Sequence, residues 1–98
     1  MHTSLHSFIQ AHTEYTILGV TNCGMTFRPS DWTERLVCLE IECLLKYDGS
    51  IKIKYGLPAK SIIFDSSLEQ KSPNTFRHLL DFAKINDLQL TTKTLPSN

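Results

Sequence analysis

The period of the hydrophobic pattern changes several times along the chain, and each change predicts an element. Tyr15-Thr16-Ile17-Leu18-Gly19-Val20 is β-branched and aromatic, which predicts a strand. Thr21-Asn22-Cys23-Gly24 supplies turn chemistry. Met25 to Arg28 can then pair back as a short strand, which Pro29 ends because proline brings no N–H to a ladder. From Trp32 the spacing becomes helical, with Trp32, Leu36, Leu39 and Cys43 on one face. Ser30 or Asp31 suits the N-cap, and Glu34 stands where a capping box places an acid. Val37, Ile41, Leu44 and Leu45 widen the apolar stripe until little polar face remains, so this helix must be deeply buried or must cover a second side against a partner. A helix from Asp31 to about Leu44 fits. Leu39-Glu40-Ile41-Glu42-Cys43 also alternates, so residues 39–45 suit a strand as well.

Asp48-Gly49 is a hairpin turn, and the run behind it alternates, with Ile51, Ile53 and Tyr55 inward and Lys52 and Lys54 outward. Gly56 and Pro58 break that strand, and Lys60 to Asp65 forms the next. Ser66 to Lys71 reads as a polar connector anchored by Leu68. Ser72-Pro73 opens a second helix, in which Phe76, Leu79, Leu80 and Ala83 share a face and Arg77, Asp81 and Lys84 meet solvent. Asn86 suits its end because Asn tolerates a left-handed conformation. Leu88 to Thr92 alternates as a last strand. The order strand, helix, strand, strand, helix, strand predicts an α+β fold, the ferredoxin-like split βαβ sandwich, with two helices on one face of an antiparallel sheet. The other face is left to solvent, a ligand or a second subunit. Residues 1–13 read as a flexible N-terminal tail, 14–93 as a single α+β domain and 94–98 as a C-terminal tail.

Composition adds boundaries to this picture. With 98 residues the chain makes one domain with a modest stability margin. A hydrophobic fraction of 41% and a charged fraction of 20% argue against disorder along its length. Ten Lys plus Arg balance ten Asp plus Glu, so net charge exerts no pull toward nucleic acid or an anionic membrane. The three cysteines, Cys23, Cys38 and Cys43, are an odd set that fits a reducing compartment. On a helix Cys38 and Cys43 point about 140° apart, a poor pair, and read as core thiols. No apolar run approaches the roughly 20 residues of a membrane span, and the N-terminus lacks the basic start and apolar stretch of a signal peptide. The expectation is a soluble cytoplasmic chain with no membrane partner.

Phe27-Arg28-Pro29-Ser30-Asp31-Trp32-Thr33-Glu34-Arg35-Leu36, together with Leu79 to Leu90 and its Asn86-Asp87-Leu88, resembles a family of small bacterial proteins known as a domain of unknown function. The likeness runs from about Tyr15 to Leu90. It implies a proteobacterial cytoplasmic protein and no particular activity. Between Lys46 and Asp65 the chain departs from that family, whose members are longer and richer in proline there, so a function carried by that loop could differ here.

The densest group of chemistry-bearing side chains is Arg28, Ser30, Asp31, Trp32, Glu34 and Arg35. Arg28 and Arg35 could grip a carboxylate or phosphate with their planar forks, beside a helix end that favours anions. The competing reading is structural: Asp31 and Glu34 cap the helix, Trp32 anchors the core, and the arginines pair with the acids. Lys52, Lys54 and Lys60, with Lys46, Tyr47 and Tyr55 nearby, could form a basic strip on the hairpin that tracks single-stranded nucleic acid. Lysines on an edge strand also serve to block aggregation. Cys23 sits on a turn with no histidine in its motif, and His78 and Asp81 can meet on the second helix as a surface pair. His2 and His6 could share one helical turn, but no third ligand is evident, and neither a metal nor a cofactor is expected. No acid–base or nucleophile–base pair stands at a meaningful spacing. The expected function is therefore a non-enzymatic protein-binding or regulatory domain, acting as a homodimer or on another protein, with Trp32 and Arg35 at or beside the contact. Two alternatives accompany it: a small-molecule or anion sensor using Arg28, Ser30 and Arg35, and a weak single-stranded nucleic-acid binder on the Lys52 and Lys54 face.

Overall fold

The computed structural model describes residues 12–37 and 49–95. The unsettled stretch 39–45, the pair Cys38 and Cys43, Lys46 and Tyr47, and the histidines His2 and His6 lie outside the described residues. Four strands, β1 (His12–Thr21), β2 (Ile51–Lys54), β3 (Ser61–Asp65) and β4 (Leu88–Leu95), form one open sheet in the order β2-β3-β1-β4. Every neighbouring pair is antiparallel. Among the described residues three helices accompany them: α1 (Trp32–Arg35), α2 (Ser67–Lys71) and α3 (Pro73–Ile85).

Register decides which side chains share a face, because directly opposed residues point the same way. Tyr15 stands opposite Phe64, and Ile17 opposite Ile62 and Leu90. Ile51 and Ile53 stand opposite Phe64 and Ile62. These residues make the face on which the helices pack, and Trp32, Leu36, Leu68, Phe76, Leu79 and Ala83 complete a single core with them. Two aromatic groups organise it. Tyr15 stacks on Phe64 with centroids 5.3 Å apart, and Phe76 meets both edge-on. Trp32 stacks on Phe82 at 5.8 Å, with Phe27 edge-on to each. The opposite face carries Thr16, Leu18 and Ile63 between Lys52 and Lys54 on one flank and Lys93 on the other.

Several expectations are corrected by long-range pairing. His12 and Thr13, expected in the N-terminal tail, pair with Leu95 and Thr94, expected in the C-terminal tail. Each end supplies the partner that orders the other, which local propensity cannot register. The strand expected at Met25 to Arg28 is reduced to a bridge between Val20 and Thr26, held by Phe27 N–H donating to Gly19 O at 2.9 Å. Tyr55 is not in the inward row; β2 ends at Lys54, and Tyr55 is largely exposed. The polar connector contains α2, begun by the Asp65 carboxylate, which accepts from the Ser67 N–H at 3.0 Å and from the Ser67 hydroxyl. Leu68 is fully buried there, as its isolation among polar neighbours suggested. At the end of α3 Asn86 keeps φ −95°, and the left-handed residue is Asp87 at φ 55°. Asn86 instead folds its amide back to Phe82 O at 2.9 Å, and Asp87 accepts from the Asn22 side chain at 2.9 Å.

Candidate functional site

The residues singled out by the sequence cluster at the start of α1, where a close approach to β1 sets the geometry. A methyl group added at Gly19 would stand 2.7 Å from the Trp32 indole nitrogen and 3.1 Å from Lys60 O. The missing side chain therefore lets the indole lie on the sheet, with 4% of Trp32 exposed. Of the two readings of this motif, the structure agrees with the one that makes Trp32 a core anchor. Leu36 and Val37 behind it are also buried, so the described part of this oily segment is covered within one molecule.

The charged residues around the indole separate into two groups. Asp31 stands at the N-cap without a capping hydrogen bond; its carboxylate instead accepts from Arg35 Nε at 3.0 Å, an exposed i, i+4 pair. Glu34 does not close a capping box either. Its carboxylate accepts from the buried Thr33 hydroxyl at 2.7 Å, from the Tyr55 hydroxyl at 2.9 Å and from Lys60 Nζ at 3.1 Å. Lys60 also lies 5.4 Å from the centre of the Tyr55 ring. The Thr33 and Tyr55 hydroxyls, against the opposing effect of burial and with help from Lys60, hold the Glu34 carboxyl well below the usual range, at about 2. This cluster fastens the loop after β2 to α1.

The anion-gripping arrangement is not assembled by this geometry. Ser30 lines a cleft of about 120 Å³ with Trp32, Pro58 and Lys60. Arg35 lines a different one, of about 170 Å³, with Phe27, Pro29 and Phe82. Arg28 is exposed and lines neither. The basic strip is likewise divided: Lys52 and Lys54 project from β2 on the open face, whereas Lys60 is bound to Glu34. Glu14 and Asp65 share the open face with those lysines, opposed to each other across β1 and β3. Cys23 is a free, exposed cysteine whose sulfur lies 3.1 Å from the Thr21 hydroxyl.

Sequence reasoning missed the site on the open face. There a cleft of about 240 Å³ is lined by Glu14, Thr16, Leu18, Lys54, Ser61 and Ile63, with the loop residues Gly56, Leu57 and Ala59 at its rim. Ser61 is 5% exposed, and among the described residues its hydroxyl has no hydrogen-bond partner. The alternation of Lys52 and Lys54 marked this face, but Ser61 takes its cross-strand neighbours, Leu18 and Lys54, from two other strands. Among the described residues no group of three or more His, Cys, Asp or Glu could hold a metal ion, and no helix is long and apolar enough to cross a membrane.

The solved structures include one similar chain, a solution structure that is the first structural representative of its family. It shares 26% identity and a TM-score of 0.69, over 86% of this chain and 82% of that one. No curated protein matches the sequence. The model of a family described as "Protein of unknown function (DUF3579)" matches residues 11–93, which is most of the length, and the chain belongs to that family.

Proposed function

We propose that this protein is a non-enzymatic binding domain, a ferredoxin-like split βαβ sandwich that acts as a homodimer through strand β4. The sheet order β2-β3-β1-β4 with antiparallel neighbours supports the ferredoxin-like reading. The observation that carries the dimer is the contrast between the two edges of the sheet. β2 is four residues long and presents Lys52 and Lys54, which is how an edge is guarded against pairing. β4 is eight residues long, carries Thr91, Thr92 and Thr94, and has Lys93 as its one charge. Leu90, on the helix-bearing face of β4, is 41% exposed, and Ile85 at the end of α3 is 79% exposed. A long edge with a single charge pairs readily with another strand.

A second copy suits it on register. A two-fold axis at Thr91 places Thr91 opposite Thr91, Leu90 opposite Thr92 and Gln89 opposite Lys93, with no like charges facing. The same axis brings a second α3 alongside, where Ile85 and Leu90 are covered. Glu34 and Lys60 make a poor acid–base couple, because a carboxyl held at about 2 is a weak proton acceptor and Lys60 is committed to it.

Light scattering coupled to size exclusion tests the dimer. The expected mass is twice 11.2 kDa. Thr91→Lys and Thr91→Glu should each give monomers, because like charges then face across the axis, and an equimolar mixture of the two should recover the dimer. A native chain that stays monomeric at about 0.5 mM, or a dimer indifferent to both variants, sinks the reading.

A further inference from the structure

We infer that the open face of the sheet carries a binding site for a small aliphatic monocarboxylate of amino-acid size, its carboxylate held between Lys54 and Ser61. Three rows of the sheet build this site. Leu18, Ser61 and Lys54 lie abreast across β1, β3 and β2; Thr16 and Ile63 form the next row; Glu14 lies one row further on. The rows span about 13 Å along β1, so the cleft is elongated and has two different ends.

The polar groups at both ends lack partners among the described residues. The Ser61 hydroxyl is buried and unpaired among the described residues, a state that an oxygen of a ligand relieves. Lys54, its cross-strand neighbour, has no ion-pair partner among the described residues. Neither does Glu14 at the far end, although Lys93 stands opposite it on β4. A lysine ammonium beside one or two hydroxyls, Ser61 and Thr16, is the donor set for a carboxylate. The apolar part of the lining comes from Leu18, abreast of Ser61, and from Ile63 in the middle row beside Thr16, and the rim carries Leu57, which is 98% exposed. That lining selects an aliphatic chain, and filling the cleft would cover Leu57. Glu14 and Asp65 on the same face repel a second negative charge, which excludes dicarboxylates and phosphate, whereas an amino group directed at Glu14 is accommodated. The site lies on the face of the sheet, so it is independent of pairing at the β4 edge.

Titration of the full-length protein with isovalerate and with leucine, followed by amide chemical shifts, tests this site, with succinate and inorganic phosphate as comparators. Saturable shifts at Thr16, Leu18, Ser61 and Ile63 are expected, with a dissociation constant on the order of 1 mM. Lys54→Gln, a change at an exposed position, and Ser61→Ala should each weaken binding about tenfold with the rest of the spectrum unchanged. Shifts that stay linear to about 20 mM, an equal response to succinate or phosphate, or unaltered affinity in Lys54→Gln overturn the assignment.

Discussion

On one face of the sheet Ile17, Ile62 and Phe64 are exposed by 0%, 0% and 2%; on the other, their sequence neighbours Thr16 and Ile63 are only partly buried, and Lys52 and Lys54 meet solvent. The two faces are built from alternate residues of the same strands, so one peptide unit separates a core position from a surface one. They differ in how far the chain satisfies them. The covered face ends in apolar and aromatic contacts, and the polar groups around it, such as Thr33 and Glu34, have partners at 2.7 Å to 3.2 Å. The open face leaves Ser61, Lys54 and Glu14 without partners among the described residues. The contacts that hold the fold together therefore lie on one face, and the polar groups without partners among the described residues lie on the other.

The largest effect expected from breaking this contrast is on the covered face. Leu79→Ala removes a fully buried side chain where α3 meets the sheet and should cost about 3 kcal/mol. For a domain of this size that lowers the melting temperature by roughly 15 °C in a calorimetric scan. A loss under about 1 kcal/mol would mean that α3 does not seal the core. Gly19→Ala should follow at about 2 kcal/mol, because the added methyl meets the indole nitrogen at 2.7 Å and something must shift. Trp32 is the sole tryptophan, so its emission reports the displacement directly. An unchanged spectrum together with unchanged stability would refute the close approach.

Glu34→Gln probes the seam between α1 and the loop after β2, and should cost about 1 kcal/mol, the usual scale for a half-exposed pair screened by solvent. The sign of its pH dependence follows from a folded value held at about 2 against an ordinary 4.5. The contribution of Glu34 is fully present above pH 4.5 and is lost as the pH falls toward 2. Urea titrations of the native chain and of the Glu34→Gln variant should therefore diverge near neutrality and converge in that acidic window. A gap that widens on acidification would contradict the hydrogen bonds assigned to the carboxylate.

What could be read in the sequence is what local spacing controls. The alternation of Ile51 to Lys54, the helical face of Phe76, Leu79 and Ala83, and the i, i+4 pair of Asp31 and Arg35 are each written within a few residues. Trp32 as a core anchor was one of two readings of its motif, and the indole packs inward because Gly19, thirteen positions away in a strand, makes room for it. The missed features join distant residues. Lys60 reaches Glu34 across 26 positions, which removes it from the basic strip, and the ends of β1 and β4 order each other. Ser61 carries no local mark at all. It reads as the start of a strand, and its burial arises from Leu18 and Lys54 standing beside it on two other strands.

The smallest expected effect is therefore the most discriminating between the faces. Ser61→Ala deletes a buried hydroxyl, and had that hydroxyl been paired within the chain, its loss would cost about 1 kcal/mol or more. Without a partner among the described residues, its removal also removes a desolvated polar group, and the two contributions nearly cancel. Stability should move by no more than about 0.5 kcal/mol, toward greater stability if it moves at all. Thr33→Val, on the covered side, is the matched comparison: its fully buried hydroxyl donates to Glu34 at 2.7 Å, so the same kind of deletion there should be destabilising by about 1 kcal/mol. Denaturant midpoints for the two variants place the faces on one scale. Equal losses at both positions would mean that Ser61 is satisfied from within, and that the open face has no more unmet hydrogen-bonding capacity than the core.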